Sequence, residues 1–205
     1  MLNKLSRRTS LAVIVAAAGA SWLGSGLLSI ARALTTADAE KLIGNLVAEI
    51  EGSINSGKTG QRLYKDFERI FEKYGDVPII AQTVLGVEWR SASAAQRRAF
   101  ADAFKGYMAR KYGKRFQEFK GARIEVTGAR PVKSFYQVQS VAFLRGNSPF
   151  QVVFLVSDRS GKNKFFNLII EGVNMRISES NAIGSMLDKR GGNLDAMIAD
   201  LRKAG

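Results

Sequence analysis

Apolar residues recur every three or four positions through the first half of the chain and at alternate positions through much of the second. Helices therefore precede strands. The first stripe is Leu42, Ile43, Leu46, Val47, Ile50 and Ile54, opened by Thr35-Thr36-Ala37-Asp38, a hydroxyl and a carboxylate spaced to cap a helix start. Gly57-Lys58-Thr59-Gly60 breaks it. A second helix runs from Gln61 to Tyr74 on Leu63, Phe67, Ile70, Phe71 and Tyr74, and Gly75 stops it. Asp76-Val77-Pro78 opens a shorter helix through Leu85, with proline at a tolerated first-turn position. Ser93-Ala94-Ala95-Gln96 is a capping box for the longest helix, whose stripe of Phe100, Phe104, Tyr107, Met108, Tyr112, Phe116 and Phe119 is mostly aromatic.

The period then changes to two. Ala122–Thr127 and Val132–Leu144 read as strands joined near Gly128 and Pro131, and Gly146-Asn147-Ser148-Pro149 as a turn. Phe150–Ser157 is a strand, Asp158-Arg159-Ser160-Gly161 a hairpin turn, and Lys162–Val173 the returning strand. From Phe165 to Val173 only Asn167 and Glu171 interrupt the apolar run, so something apolar is expected on both faces. Ser180 or Asn181 starts a short helix, Gly191-Gly192 interrupts, and Asn193 caps a last helix holding Leu194, Met197, Ile198 and Leu201. Helices followed by an antiparallel meander define an α+β fold: an N-terminal helical layer on a sheet, with C-terminal helices.

The 205 residues leave room for one domain and one sizeable core behind a leader. That leader, residues 1–33, places Arg7-Arg8 before the uncharged run Leu11–Ile30 and ends in Ala31-Arg32-Ala33, the layout of an export signal with twin-arginine character. It reads as a cleaved signal or an uncleaved anchor. Both put the domain 34–205 outside the cytoplasm, away from nucleic acid. The leader holds Lys4, Arg7, Arg8 and Arg32 and no acid, so the formal charge of +13 falls by four to +9. Such a domain is drawn to anionic surfaces or acidic partners.

Chemistry is thinly represented. Without histidine or cysteine the chain lacks the commonest general base, the commonest metal ligand, a thiol nucleophile and disulfides. No phosphate-binding loop, nucleotide fingerprint, nucleophile elbow or metal-spaced ligand set occurs, so neither a catalytic set nor a metal site is expected. Asp66, Glu68, Glu72 and Asp102 read as solvated-face acids. Glu171 stands inside the apolar strand. It is either a catalytic or headgroup-contacting acid or, the favoured reading, a structural carboxylate paired where the strand bends at Gly172.

Several segments carry a resemblance. Leu85-Gly86-Val87-Glu88-Trp89-Arg90, Ser93-Ala94-Ala95-Gln96-Arg97 and Phe100, Phe104 and Tyr107 follow the pattern LGxxWRxxTPEQ and its aromatic continuation. Phe119-Lys120-Gly121, Ile170-Glu171-Gly172-Val173-Asn174-Met175 and Lys189-Arg190-Gly191-Gly192-Asn193-Leu194 follow in the same order. In sum the sequence resembles the MlaC/toluene-tolerance family across the mature chain. Phe166-Asn167 stands where the family has Tyr-Asp, Asn174 replaces Ser, and Ile177–Ile183 matches poorly.

The resemblance implies a strongly curved sheet in a cystatin-like or nuclear-transport-factor-like roll. It also implies a periplasmic phospholipid carrier working between an outer-membrane lipoprotein complex and the lipid-binding subunit of an inner-membrane ABC transporter. Its cargo is phospholipid, with no other cofactor. A dry pocket near the upper end of roughly 300–1,000 Å³ is expected. Its candidate lining is Val84, Leu85 and Trp89; Phe104, Tyr107 and Met108; and Val141, Phe143, Val152, Phe154, Phe166, Leu168 and Ile170 on the strands. Each could equally be plain core, because strand parity is not fixed by sequence. Arg90, Lys111 and Arg115 are candidate headgroup contacts. A non-transport interaction module with a filled core, a hopanoid-associated paralogue and an enzyme on a small apolar substrate are the alternatives, the last disfavoured.

Overall fold

Thr35 and Asp38 cap the first helix reciprocally: Thr35 Oγ1 accepts from Asp38 N–H and Asp38 Oδ2 accepts from Thr35 N–H, each at 3.2 Å. They open α1 (Thr36–Asn55) in the computed structural model, which describes residues 33–117 and 121–205. The leader read at residues 1–33 lies outside the described residues except for Ala33, as do Phe119, Lys120 and the side chain of Phe116. After α1 come α2 (Gly60–Tyr74), α3 (Val77–Leu85), the single turn α4 (Glu88–Ser91) and α5 (Ala94–Gln117). Ser93 and Gln96 form the expected capping box of α5, with bonds of 3.1 and 3.0 Å.

The strands β1 (Arg123–Val132), β2 (Phe135–Phe143), β3 (Phe150–Ser157), β4 (Lys164–Ile170) and β5 (Val173–Asn174) make one antiparallel meander in sequence order. Helices α6 (Met175–Asp188) and α7 (Leu194–Leu201) close the chain. The α+β class is as expected, but three boundaries differ from the sequence reading. Gly128 and Pro131 do not join two strands. Thr127 is the extra residue of a bulge within β1, an edge strand that tolerates Pro131, and the turn is Lys133-Ser134. The returning strand does not continue to Val173. It stops at Ile170, and Glu171 (φ 50°) with Gly172 (φ 78°) forms a two-residue hairpin turn of the kind whose twist matches the strands. Finally, α6 starts at Met175 rather than Ser180 or Asn181, because Asn174 Oδ1 accepts from Ile177 N–H at 3.3 Å and caps it there.

Two apolar clusters form. In the first, Ile43, Leu46 and Val47 of α1 and Leu63, Phe67 and Ile70 of α2 pack on Val138, Ala142, Val152, Phe154 and Val156 of the sheet. Beside them, Glu51 Oε1 accepts from Ile124 N–H at 2.9 Å and Glu40 Oε1 from Ala129 N–H at 2.8 Å. Helix α1 thereby satisfies edge-strand donors that would otherwise offer a template for pairing. The second cluster is helical, joining Ile80 and Val84 of α3, Phe100 and Phe104 of α5, Ile183 and Leu187 of α6, and Met197 and Leu201 of α7.

Candidate functional site

The two clusters meet along a line of aromatic rings. From the sheet outward, Phe154 lies 6.1 Å from Phe165, Phe165 lies 6.0 Å from Phe71, and Phe71 lies 6.5 Å from Phe104, centroid to centroid. Phe104 continues to Phe100 at 5.8 Å and Tyr107 at 6.2 Å. Phe165 packs against both clusters. The seam arises from strand geometry: Phe166 is an extra residue in β4, so Phe165 pairs with Val156 and Asn167 with Leu155. Offset and tilted rings at these spacings attract by about 0.5–1.5 kcal/mol per pair beyond their burial. Contacts of that size hold two layers together and are individually weak enough to be exchanged.

A cleft of about 350 Å³ lies where α2, α3, α5 and the β3–β4 hairpin converge. Gly75 is one of its lining residues; beside it Asp76 N–H donates to Phe165 O at 2.8 Å, and a Cβ at Gly75 would lie 2.9 Å from the Phe71 ring. The walls are charged. Glu72, Asp76, Asp102 and Lys105 come from the helices, and Lys162 and Lys164 from the hairpin. Lys105 Nζ pairs with Glu72 at 3.2 Å, and Lys164 donates to the carbonyls of Glu72 and Lys73 at the end of α2. Burial first, and then the like charge of Lys162, pulls the Lys164 ammonium below the ordinary lysine range. Asp76, 4 % exposed, accepts from Ile79 N–H at a long 3.5 Å through Oδ1, while its buried Oδ2 has no hydrogen-bond partner among the described residues.

The residues singled out from sequence fall into three places rather than one pocket. Val84, Leu85, Phe104 and Tyr107 are buried in the helical cluster, with Trp89, Met108 and Phe166 packed against it. Val152 and Phe154 are buried in the sheet cluster and Leu168 packs on it; Ile170 is half-buried opposite Val152. Val141 and Phe143 lie on the other face of the sheet. Val141 pairs with exposed Glu125 and Gln151, and Phe143 lies under the Arg123 guanidinium at 4.7 Å. They do not face the helices, since the buried positions of β2 are Val138, Ser140 and Ala142. The cleft is lined by charged and apolar groups together, and the apolar side chains of the two clusters pack on one another.

Of the headgroup candidates, Arg90 and Arg115 are exposed. Lys111 is held by an acid that the sequence reading passed over. Glu179, 1 % exposed, receives Lys111 Nζ at 2.7 and 2.9 Å, Tyr112 Oη at 2.5 Å and Tyr107 Oη at 3.1 Å. Burial pushes both phenols up, and the bond to Glu179 pushes Tyr112 further. Glu171 is exposed at its turn and is neither a buried acid nor a strand residue. Among the described residues no group of three or more acids stands close enough to hold a metal ion.

Comparison with known proteins fits this architecture. A phospholipid-binding protein from Ralstonia solanacearum, solved in complex with a phospholipid, shares the fold with a TM-score of 0.67 at 19 % identity, over 80 % of this chain and 98 % of that one. The MlaC protein family matches residues 40–203, from within α1 to beyond α7 and hence nearly the whole described domain, and so the chain belongs to the MlaC family.

Proposed function

We propose that this chain is a periplasmic phospholipid carrier that takes acyl tails between its two apolar clusters. After export directed by residues 1–33, it moves lipid between an outer-membrane lipoprotein complex and the lipid-binding subunit of an inner-membrane ABC transporter. The observation that carries the proposal is the family match over residues 40–203. The lipid-bound Ralstonia protein of like fold supports it.

Energetics define what the seam must do. About thirty methylenes of a diacyl lipid, at about 0.8 kcal/mol each, lose roughly 24 kcal/mol on entering water. A carrier must offset nearly all of this without exceeding what a bilayer offers. The line from Phe154 through Phe165 and Phe71 to Phe104 suits that balance, because tails that part the rings replace ring–ring contact with ring–chain contact. The same packed rings favour one other reading, a non-transport interaction module whose core is filled by its own side chains.

Incubating delipidated protein with vesicles containing a fluorescent diacyl phospholipid separates the two. A carrier withdraws lipid in proportion to protein and delivers it to acceptor vesicles. Absence of any withdrawal would establish the filled module instead.

A further inference from the structure

A cluster of exposed cations stands at the end of the helical layer away from the charged cleft. Helices α2 and α5 run antiparallel: Lys105 pairs with Glu72 at 3.2 Å near one end, and a Cβ at Gly113 would lie 2.8 Å from the Tyr64 ring near the other. Arg110 donates to the carbonyls of Leu201 and Ala204, each at 2.8 Å, so the end of α7 meets the same end of α5. Lys65 follows Tyr64, Lys114 and Arg115 follow Gly113, and Arg202 and Lys203 follow Leu201. Arg62 is the neighbour of Lys65 one turn earlier on α2. All of these are exposed, and none is in an ion pair with a side-chain carboxylate among the described residues. The nearby acids are engaged by other cations: Asp66 by Lys58 at 2.7 Å, Asp200 by Arg190 at 2.5 and 2.8 Å, and Glu179 by Lys111. Helix dipoles account for the cations that end α5 and follow α7, but not for Arg62 and Lys65. Those two stand in the opening turns of α2, which has no acid in its first turn, where positive charge disfavours a helix.

We propose that this end of the domain docks on the surface of an anionic bilayer, its cations lying against the lipid phosphates while the helices stay outside the apolar layer. The make-up of the face selects a bilayer over an acidic protein. Protein interfaces centre on aromatic or aliphatic anchors that become buried. Here the exposed large apolar residues, Val87, Val173 and Ile177, belong to the α3–α4 corner, β5 and α6 instead. Long cations spread over the ends of several helices need only a plane of negative charge, and each adds about a fivefold gain in binding at low salt. The far end of α2 is unlike this one: Glu72, Asp76 and Asp102 stand there among Lys105, Lys162 and Lys164, and the charges offset one another. The domain is therefore polarised, and a bilayer that attracts it also orients it. Docking needs no bound cargo and is independent of the carrier function proposed above.

The test is co-sedimentation of residues 34–205, the form left by the export proposed above and the one that holds both apolar clusters, with vesicles of phosphatidylcholine alone or mixed with phosphatidylglycerol. Binding to the mixed vesicles is expected to exceed binding to the neutral ones by more than about tenfold at low salt, and to fall steeply as salt is raised. Arg62→Glu with Lys65→Glu is the decisive variant. Acids near a helix start favour folding, so α2 stays formed while binding drops by about a hundredfold or more. Lys114→Gln with Arg115→Gln is expected to cost about twentyfold. Arg159→Gln with Lys162→Gln removes the same charge from the β3–β4 hairpin, at the far end of α2, and as the control is expected to cost less than about threefold. Equal binding to both kinds of vesicle, binding to neither, or equal losses in the Lys114–Arg115 variant and the control would each overturn the docking face. Tight binding of polyglutamate without vesicle binding would give the face to an acidic protein and overturn the bilayer. Docking on anionic vesicles with no withdrawal of lipid would keep this face and overturn the carrier.

Discussion

Lys111 on α5 donates to both carboxylate oxygens of Glu179 on α6, at 2.7 and 2.9 Å, and thereby ties together two helices of the second cluster. Removing the cation leaves a carboxylate that is 1 % exposed with two phenols as its side-chain donors among the described residues. Lys111→Met is expected to lower stability by about 2–3 kcal/mol. A fully buried pair would lose roughly 3–5, and the discount reflects a Lys111 side chain that is 38 % exposed and partly screened. Adding Glu179→Met restores most of the loss, since no buried charge then remains. Urea unfolding of the single and double variants checks this. A double variant no better than Lys111→Met would show that the pair is not the cause.

The same cluster makes stability fall at alkaline pH. Burial raises the Tyr107 and Tyr112 phenols, with Glu179 adding to the rise at Tyr112. Burial pulls the Lys111 ammonium down, but its bonds to Glu179 and Tyr107 outweigh this and leave it raised. Each group binds its proton more tightly folded than unfolded, so its contribution is whole below the unfolded value, about pH 10. It is lost as pH climbs through the folded values. Tyr112→Phe is therefore expected to be less stable by about 1–2 kcal/mol near neutrality, having lost a donor to a buried carboxylate, with the gap narrowing at high pH. Urea midpoints from about pH 8 to about pH 11 measure it. A constant gap would remove Tyr112 from the alkaline transition.

What was legible in the sequence is what has a local cause. The Thr35, Ser93 and Asn193 caps mark helix starts because their partners lie three residues away. Period two marks the strands. Glu171-Gly172 was hidden because apolar residues flank it on both sides, so a turn read as strand. The start of α6 was hidden because Ser178–Asn181 looks like a loop, and the partners that let Glu179 be buried lie 67 to 72 residues earlier. Pocket lining could not be read while one extra residue, Phe166, shifts the pairing partway along β4. The cleft was invisible for a related reason: Glu72 and Asp102 look like solvated-face acids until the fold brings the β3–β4 hairpin across from them.

Glu171 tests the turn directly. A non-glycine residue at φ 50° adopts the left-handed region at a cost of about 1–2 kcal/mol, partly offset in glycine by its greater unfolded-state entropy. Glu171→Gly is expected to be neutral to stabilising by about 0.5 kcal/mol and to leave lipid uptake unchanged. Thermal unfolding with the vesicle assay decides it. A loss of uptake without a loss of stability would return Glu171 to the functional residues.

Phe165 links stability to cargo. Its ring touches Phe154 on one side and Phe71 on the other, so Phe165→Ala opens a hole where the two clusters join. Truncating a well-buried phenylalanine costs about 3–5 kcal/mol, and the half-buried Phe165 falls toward the lower end. In the delipidated protein that loss is expected in full. In lipid-loaded protein an acyl chain fills the hole, so the loss shrinks and the stabilisation by lipid grows. Leu63→Ala is the control: at 1 % exposure in the first cluster and about two turns before Phe71 on α2, it is expected to lower both forms equally. Melting curves of the two variants, loaded and delipidated, compare these directly. If Phe165→Ala behaves as Leu63→Ala does, the tails do not pass between the rings, and the carrier would have to hold them elsewhere.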